Sequence, residues 1–161
     1  MTSLLEHLGK DTLPEPILKV FAQWCVLKQA RPALASVLQK ANMSDIATSI
    51  EKTDDTVKLA ELSKRANEIA KEARNKTGPL TLSAAEAAAF EFNNLANEVN
   101  QAEMDAEAVS FFSARVCGWA GWAEADNFAD IGAKSEAEAN AKNAQEKHLE
   151  QLWTQHGSHK P

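Results

Sequence analysis

Apolar residues recur every three or four positions along most of the chain. This is the period of helices lying on a core, not the alternation of strands. The pattern predicts an opening turn or short helix from about Ser3 to Leu8, stopped by Gly9. A first main helix starts at Glu15–Pro16, where a proline sacrifices no hydrogen bond, and turns Ile17, Val20, Phe21, Trp24 and Leu27 inward. Pro32 predicts a break or kink before a further helical piece carrying Leu34, Val37 and Leu38. Ser44 and Asp45 open a short helix with Ile46, Ala47 and Ile50. Thr53 and Asp54 then read as the cap of a long helix running to about Asn75, with Val57, Leu62, Ala66, Ile69 and Ala73 inward. The run from Asn75 to Pro79 is the clearest turn signal in the chain.

Ser83 with Glu86 has the spacing of a capping box, and it opens a helix whose inward seam is Ala85, Ala88, Phe92, Leu95, Val99 and Ala102. Spacings of three and four continue through Ala106 and Val109, and a break is expected near Glu103 to Asp105. The next helix carries Val109, Phe112, Val116, Trp119, Ala120 and Ala123. After a connector at 126–132, Ser135 with Glu138 repeats the capping-box spacing and opens a last helix reaching about Trp153. The expectation is all-α: an antiparallel bundle of four to five main helices with short connections, one domain over residues 1–153, and a flexible polar tail at 154–161.

Composition strengthens the helical reading. The 161 residues include 29 alanines against 20 Val, Ile and Thr together, which excludes an all-β fold and disfavours a parallel α/β sheet. Alanine-lined helices approach closely and leave little room for ligand cavities. No apolar run is long enough for a membrane span, and the first fifteen residues lack the pattern of a secretory signal, so a cytoplasmic location is expected.

The net charge of −6 is unevenly placed. Residues 83–130 hold nine acids and one base, Arg115, whereas residues 1–82 sum to +2 and residues 131–161 to zero. A segment this acidic repels phosphate, so nucleic acid is not an expected partner.

A search for chemistry finds no catalytic, cofactor-binding or metal-binding set. Glu-x-x-His, HExxH and GxSxG are absent, and the six glycines form no phosphate loop. Cys25 and Cys117 read as buried small hydrophobes, and His156 and His159 as solvated tail residues. Acid pairs such as Asp54 with Asp55, and Glu103 with Asp105 and Glu107, read as helix caps and dipole partners. An enzyme would need an acid facing His148 in a cleft.

Three features stand out as candidate partner-binding positions. Gly118 and Gly121 lie one helical turn apart, as do Trp119 and Trp122, and two glycines inside a helix suggest close backbone contact, inside the molecule or with a partner. Phe90 falls opposite the Ala85–Phe92–Val99 seam. Glu91, Glu98 and Asp105 recur every seven residues beside that seam, with Glu103 close by, and call for a basic surface: either the Lys64–Lys76 stretch or another protein.

The RPAL run at Arg31–Leu34, AEAAAFEF at Ala85–Phe92, FFSARVCGWAGWAEA at Phe111–Ala125 and EKHLEQLW at Glu146–Trp153 resemble the Ala-rich, all-helical immunity proteins of bacterial toxin systems. The histidine-bearing helix of such proteins has no counterpart, since Ala84 to Val99 contains no histidine. The resemblance implies a small cytoplasmic binder that masks a toxin and supplies no catalytic residues. The resulting expectation is a non-enzymatic protein-interaction module with a basic protein as partner and no membrane target. The alternative is a subunit that self-associates into a homo-oligomer through its Ala/Gly faces.

Overall fold

The computed structural model describes residues 4–8, 13–77, 80–125 and 132–158. These residues are all helix and connection, with no strand among them. A 3-10 turn at Leu4–His7 precedes α1 (Glu15–Trp24), a π-helical stretch (Cys25–Ala30), α2 (Arg31–Lys40), α3 (Ser44–Glu51), α4 (Thr56–Thr77), α5 (Leu80–Val99), α6 (Ala106–Glu124) and α7 (Gly132–Ser158). Because α1, the π stretch and α2 run on without interruption, the described residues form six continuous helices, against the four to five expected. None is long and apolar enough to cross a membrane.

The break expected at Pro32 does not occur. Proline lacks the N–H that would bond four residues back. The chain absorbs this by widening its register just before the proline, and the Arg31 N–H reaches the Val26 carbonyl five residues back. Arg31 then pins the start of α2 to the α3–α4 connection, donating from Nη1 to the Thr53 carbonyl and pairing with Asp54 at 2.7 Å.

Several helix starts also fall elsewhere than the caps suggest. Asp55, not Thr53 or Asp54, caps α4, accepting from the N–H groups of Val57 and Lys58. Val57 and Ile69 are exposed, as is Val20 on α1; the buried face of α4 is Leu59, Ala60, Ser63, Ala66 and Ala70. Helices α5 and α7 each begin three residues before their capping-box serine. Glu86 and Glu138 therefore sit inside helices and bind cations: Glu86 takes Arg74 at 2.9 Å, and Glu138 takes Lys134 at 2.7 Å. The expected break between Val99 and Ala106 is present, and Asp105 caps α6 through Glu107 N–H and Ala108 N–H. Ala102 lies past the end of the α5 seam and is exposed. The last helix continues through residues 154–158, where a tail was expected, while residues 78–79 of the predicted turn and 126–131 of the predicted connector lie outside the described residues.

Successive long helices pack antiparallel. Asn67 donates to the Glu86 carbonyl and Asn93 to the Ala60 carbonyl, both at 2.8 Å, which fixes the opposed run of α4 and α5. Helix α6 is central and touches α1, the π stretch, α2, α5 and α7. Most of its inward positions are small, Ala106, Ser110, Ser113, Ala114, Gly118, Ala120 and Ala123, with Val109 and Val116 among them. On α5, Ala84, Ala85, Ala88, Ala89 and Ala96 play the same part around fully buried Phe92 and Leu95. Alternating small and bulky residues let these helices close on one another and still fill the space between them. The 3-10 turn is tied down across the molecule, the N–H groups of Leu4 and Leu5 donating to the Glu146 carboxylate at 2.8 and 3.0 Å.

The two glycines of α6 face α7. A Cβ added at Gly121 would strike the Ala137 Cβ and lie 3.3 Å from the Ala133 carbonyl, whereas one at Gly118 would meet the flexible Glu138 side chain. Gly121→Ala is therefore expected to lower stability by about 1–3 kcal/mol, as overpacking does. Gly118→Ala is expected to cost less than Gly121→Ala, because the Glu138 side chain can shift at the expense of its pairing with Lys134 and Arg115 and helix propensity offsets part of that loss. Denaturant unfolding of both variants checks the order, and equal losses would contradict the α6–α7 contact.

Candidate functional site

The chemistry-bearing side chains of the acidic segment fall into separate groups. On α6, Phe111, Arg115 and Trp119 follow one another at four-residue intervals, so they share a face. The Arg115 guanidinium lies 5.8 Å from both ring centroids. It reaches Glu91 of α5 at 3.7 Å and Glu138 of α7 at 3.5 Å. Lys134 completes the chain of alternating charge, sitting 4.9 Å from the Trp119 ring centroid and paired with Glu138. Burial pushes the Glu91 carboxyl above the usual carboxylate range, against the pull of Arg115 and Lys134. Trp122 packs edge-on against Trp119 at 5.8 Å. Glu91, Trp119 and Trp122 are thus engaged within the molecule, and the cation that Glu91 meets is Arg115, not the Lys64–Lys76 stretch.

Glu98, Glu103 and Asp105 lie elsewhere, at the α5–α6 turn. Glu98 accepts from the Asp105 N–H at 3.1 Å, and Asp105 spends a carboxylate oxygen on capping α6. Glu103 and Glu107 are exposed beside them. None of these four acids forms an ion pair among the described residues, so their charge remains uncompensated at one end of the bundle.

Phe90 stands apart again. It is 54% exposed and borders a groove of about 510 Å³ between α4 and α5, next to Lys71 and Arg74. A second groove, of about 540 Å³, lies between α3 and α4 beside Arg65 and Ile69 and contains none of the candidate partner-binding residues.

A buried polar cluster escaped the sequence reading. Gln145 is fully buried; its Nε2 donates to Gln29 Oε1 at 2.7 Å and to the Ser110 carbonyl at 3.1 Å, while its Oε1 accepts from the Ser110 hydroxyl. Gln29 in turn donates to the Ala141 carbonyl at 2.9 Å. The Ser113 hydroxyl lies within reach of Gln29 Oε1 and of the Cys25 carbonyl in the π stretch. The available signal was a glutamine between Ala141 and Leu149 on the four-residue inward stripe of α7, opposite two serines of α6.

Cys25 and Cys117 are both free. Burial raises both thiols, Cys117 to about 11, so they stay protonated at neutral pH and pack as small hydrophobes. His148 stacks on Trp24, with ring centroids 4.5 Å apart. Among the described residues, no three His, Cys, Asp or Glu side chains are grouped to hold a metal ion. Compared with known proteins, the chain matches no family model, no curated protein and no solved structure.

Two expectations follow. Gln145→Leu strands the Ser110 hydroxyl in the core and leaves Gln29 Oε1 with the Ser113 hydroxyl alone, and it is expected to lower stability by about 1–3 kcal/mol. Adding Ser110→Ala should recover part of that loss, and chemical denaturation reads both; full additivity of the two losses would contradict the network. His148 is held below its ordinary value of 6.5 by burial. The unfolded chain therefore takes the proton first, so this contribution is complete above about pH 6.5 and is lost as pH falls from there towards the folded value. His148→Phe, which keeps an aromatic ring against Trp24, is expected to flatten the fall in melting temperature between about pH 7 and pH 5. An unchanged fall in the variant would count against this assignment.

Proposed function

We propose that the chain is a non-enzymatic, immunity-type protein-interaction module of the cytoplasm that binds a basic protein partner with the α5–α6 end of its bundle. The observation that carries this reading is the distribution of the acids in the −8 segment. Glu86 and Glu91 are matched by Arg74 and Arg115 within the bundle. Glu98, Glu103, Asp105 and Glu107 gather at the turn between α5 and α6 without a cation among the described residues. A concentrated, uncompensated charge steers an oppositely charged protein into register and speeds encounter.

The sequence resemblance to immunity proteins points the same way, since masking a basic toxin surface needs complementary charge rather than a reactive pocket. Self-association through the Ala/Gly faces has less support, because Gly118 and Gly121 are already covered by α7. Phe90 is not assigned to the basic partner, as its neighbours are the cations Lys71 and Arg74.

The test uses the basic protein domains encoded next to the gene, each purified and titrated against this chain at low and high salt. Binding is expected to weaken with salt, and Glu103→Lys with Glu107→Lys to reduce affinity by about tenfold or more, mainly through slower association. Binding indifferent both to salt and to this double reversal would overturn the assignment.

A further inference from the structure

The α4–α5 groove combines a positive wall with an exposed ring. Asn67 and Arg74 are occupied with Glu86, Asn67 by its carbonyl and Arg74 by its carboxylate. Lys71 is exposed and forms no ion pair among the described residues, and Phe90 projects beside it, 54% exposed. Of the charged residues lining the groove, Arg74 and Glu86 pair with each other and leave Lys71 as its net positive charge, on a stretch of α4 that holds five cations against Glu68 and Glu72.

The complementary surface lies on the same molecule. Glu98, Glu103, Asp105 and Glu107 contribute −4 at the α5–α6 end, where half-buried Met104 offers an apolar contact suited to an aromatic ring. Phe90 and Glu98 are eight residues apart on one rigid helix, about 12 Å along its axis, so the two surfaces cannot meet within one copy.

We propose that the groove takes a second copy of this chain, docked by its acidic α5–α6 end, with Glu103 and Glu107 against Lys71 and its basic neighbours and the turn around Met104 against Phe90. Because the two surfaces differ, the contact is head-to-tail, and repetition gives a ring or an open chain of copies. The overall charge of −6 opposes assembly, so association is weak and depends on the local match. The contact uses the same acidic end as the proposed basic partner, so the two compete for it; it rests on that reading only in taking this end as an interaction surface.

Sedimentation velocity over a concentration series at low salt tests this. Wild type is expected to associate, and to revert to monomer in about 0.5 M salt. Lys71→Glu, which spoils the groove, and the double variant Glu103→Lys, Glu107→Lys, which spoils the acidic end, should each sediment as monomers. Mixed in equal amounts, they pair the intact groove of one with the intact acidic end of the other, and should associate where neither variant does alone. Phe90→Ser should weaken wild-type association at least tenfold with an unchanged helical circular dichroism spectrum. A wild type that is monomeric at every concentration overturns the proposal. So do reversed variants that associate like wild type, or a mixture that does not associate. Lys71→Glu leaves the acidic end intact and should bind a basic partner as wild type does, so failure of self-association and failure of partner binding are read separately.

Discussion

Close approach of helices through small side chains is the constraint on which the architecture depends. Helix α6 is surrounded by five other helical segments, and such a position can be filled only if its own girth is small. Ser110, Ser113, Ala114, Gly118, Ala120 and Ala123 supply that slenderness, and alanines on α5 match it. Gly121 is the tighter of the two glycine contacts of α6, with Ala137 of α7 in the space where a Cβ would sit. Two glycines in a helix sacrifice about 1 kcal/mol each in propensity, and here the direct contact of α6 with α7 offsets that loss.

The same closeness determines where polar groups can go. Polar side chains drawn against neighbouring helices find partners across the contact or lie at its ends, with Trp119 Nε1 and His148 Nε2, buried without a hydrogen bond among the described residues, as exceptions. Gln29, Ser110 and Gln145 took the first course, as did the Glu91–Arg115–Glu138–Lys134 chain that links three helices. Among the exposed charges, cations are frequent along the second half of α4 and acids gather at the turn between α5 and α6. Both lie on one helical hairpin extended by α6, so the molecule presents two unlike surfaces at a separation fixed by the length of α5.

The all-helical class was legible because alanine content and three-to-four spacing agree over nearly the whole chain. Core positions such as Ile17, Phe21, Leu34, Leu38, Ile50, Phe92 and Leu95 were legible from the same spacing. Val20, Val57 and Ile69 were misplaced because apolar character alone does not fix which side of a wide apolar stripe meets the core. The capping boxes failed for another reason. Ser83 and Ser135 have the right spacing, but Glu86 found Arg74 on α4, Glu138 found Lys134 one turn back and Arg115 on α6, and the helices extended past the serines. Pro32 was read by its local rule, which does not foresee a π register upstream. Of the candidate site, the acidity of the segment was visible in the sequence. The division into engaged acids and a free acidic end was not, because it depends on Arg115 and Arg74 arriving from particular helical faces.

Native-state hydrogen exchange tests the central constraint most directly, because amides held in a tightly packed helix exchange only when the whole domain unfolds. The amides of α6 from Val109 to Ala120, and of α5 from Ala88 to Ala96, are expected to be the slowest and to share one opening free energy equal to that of global unfolding. The 3-10 turn at Leu4–His7 should exchange far faster. Exchange of α6 through small local openings, at rates like those of the 3-10 turn, would contradict a fold organised around that helix.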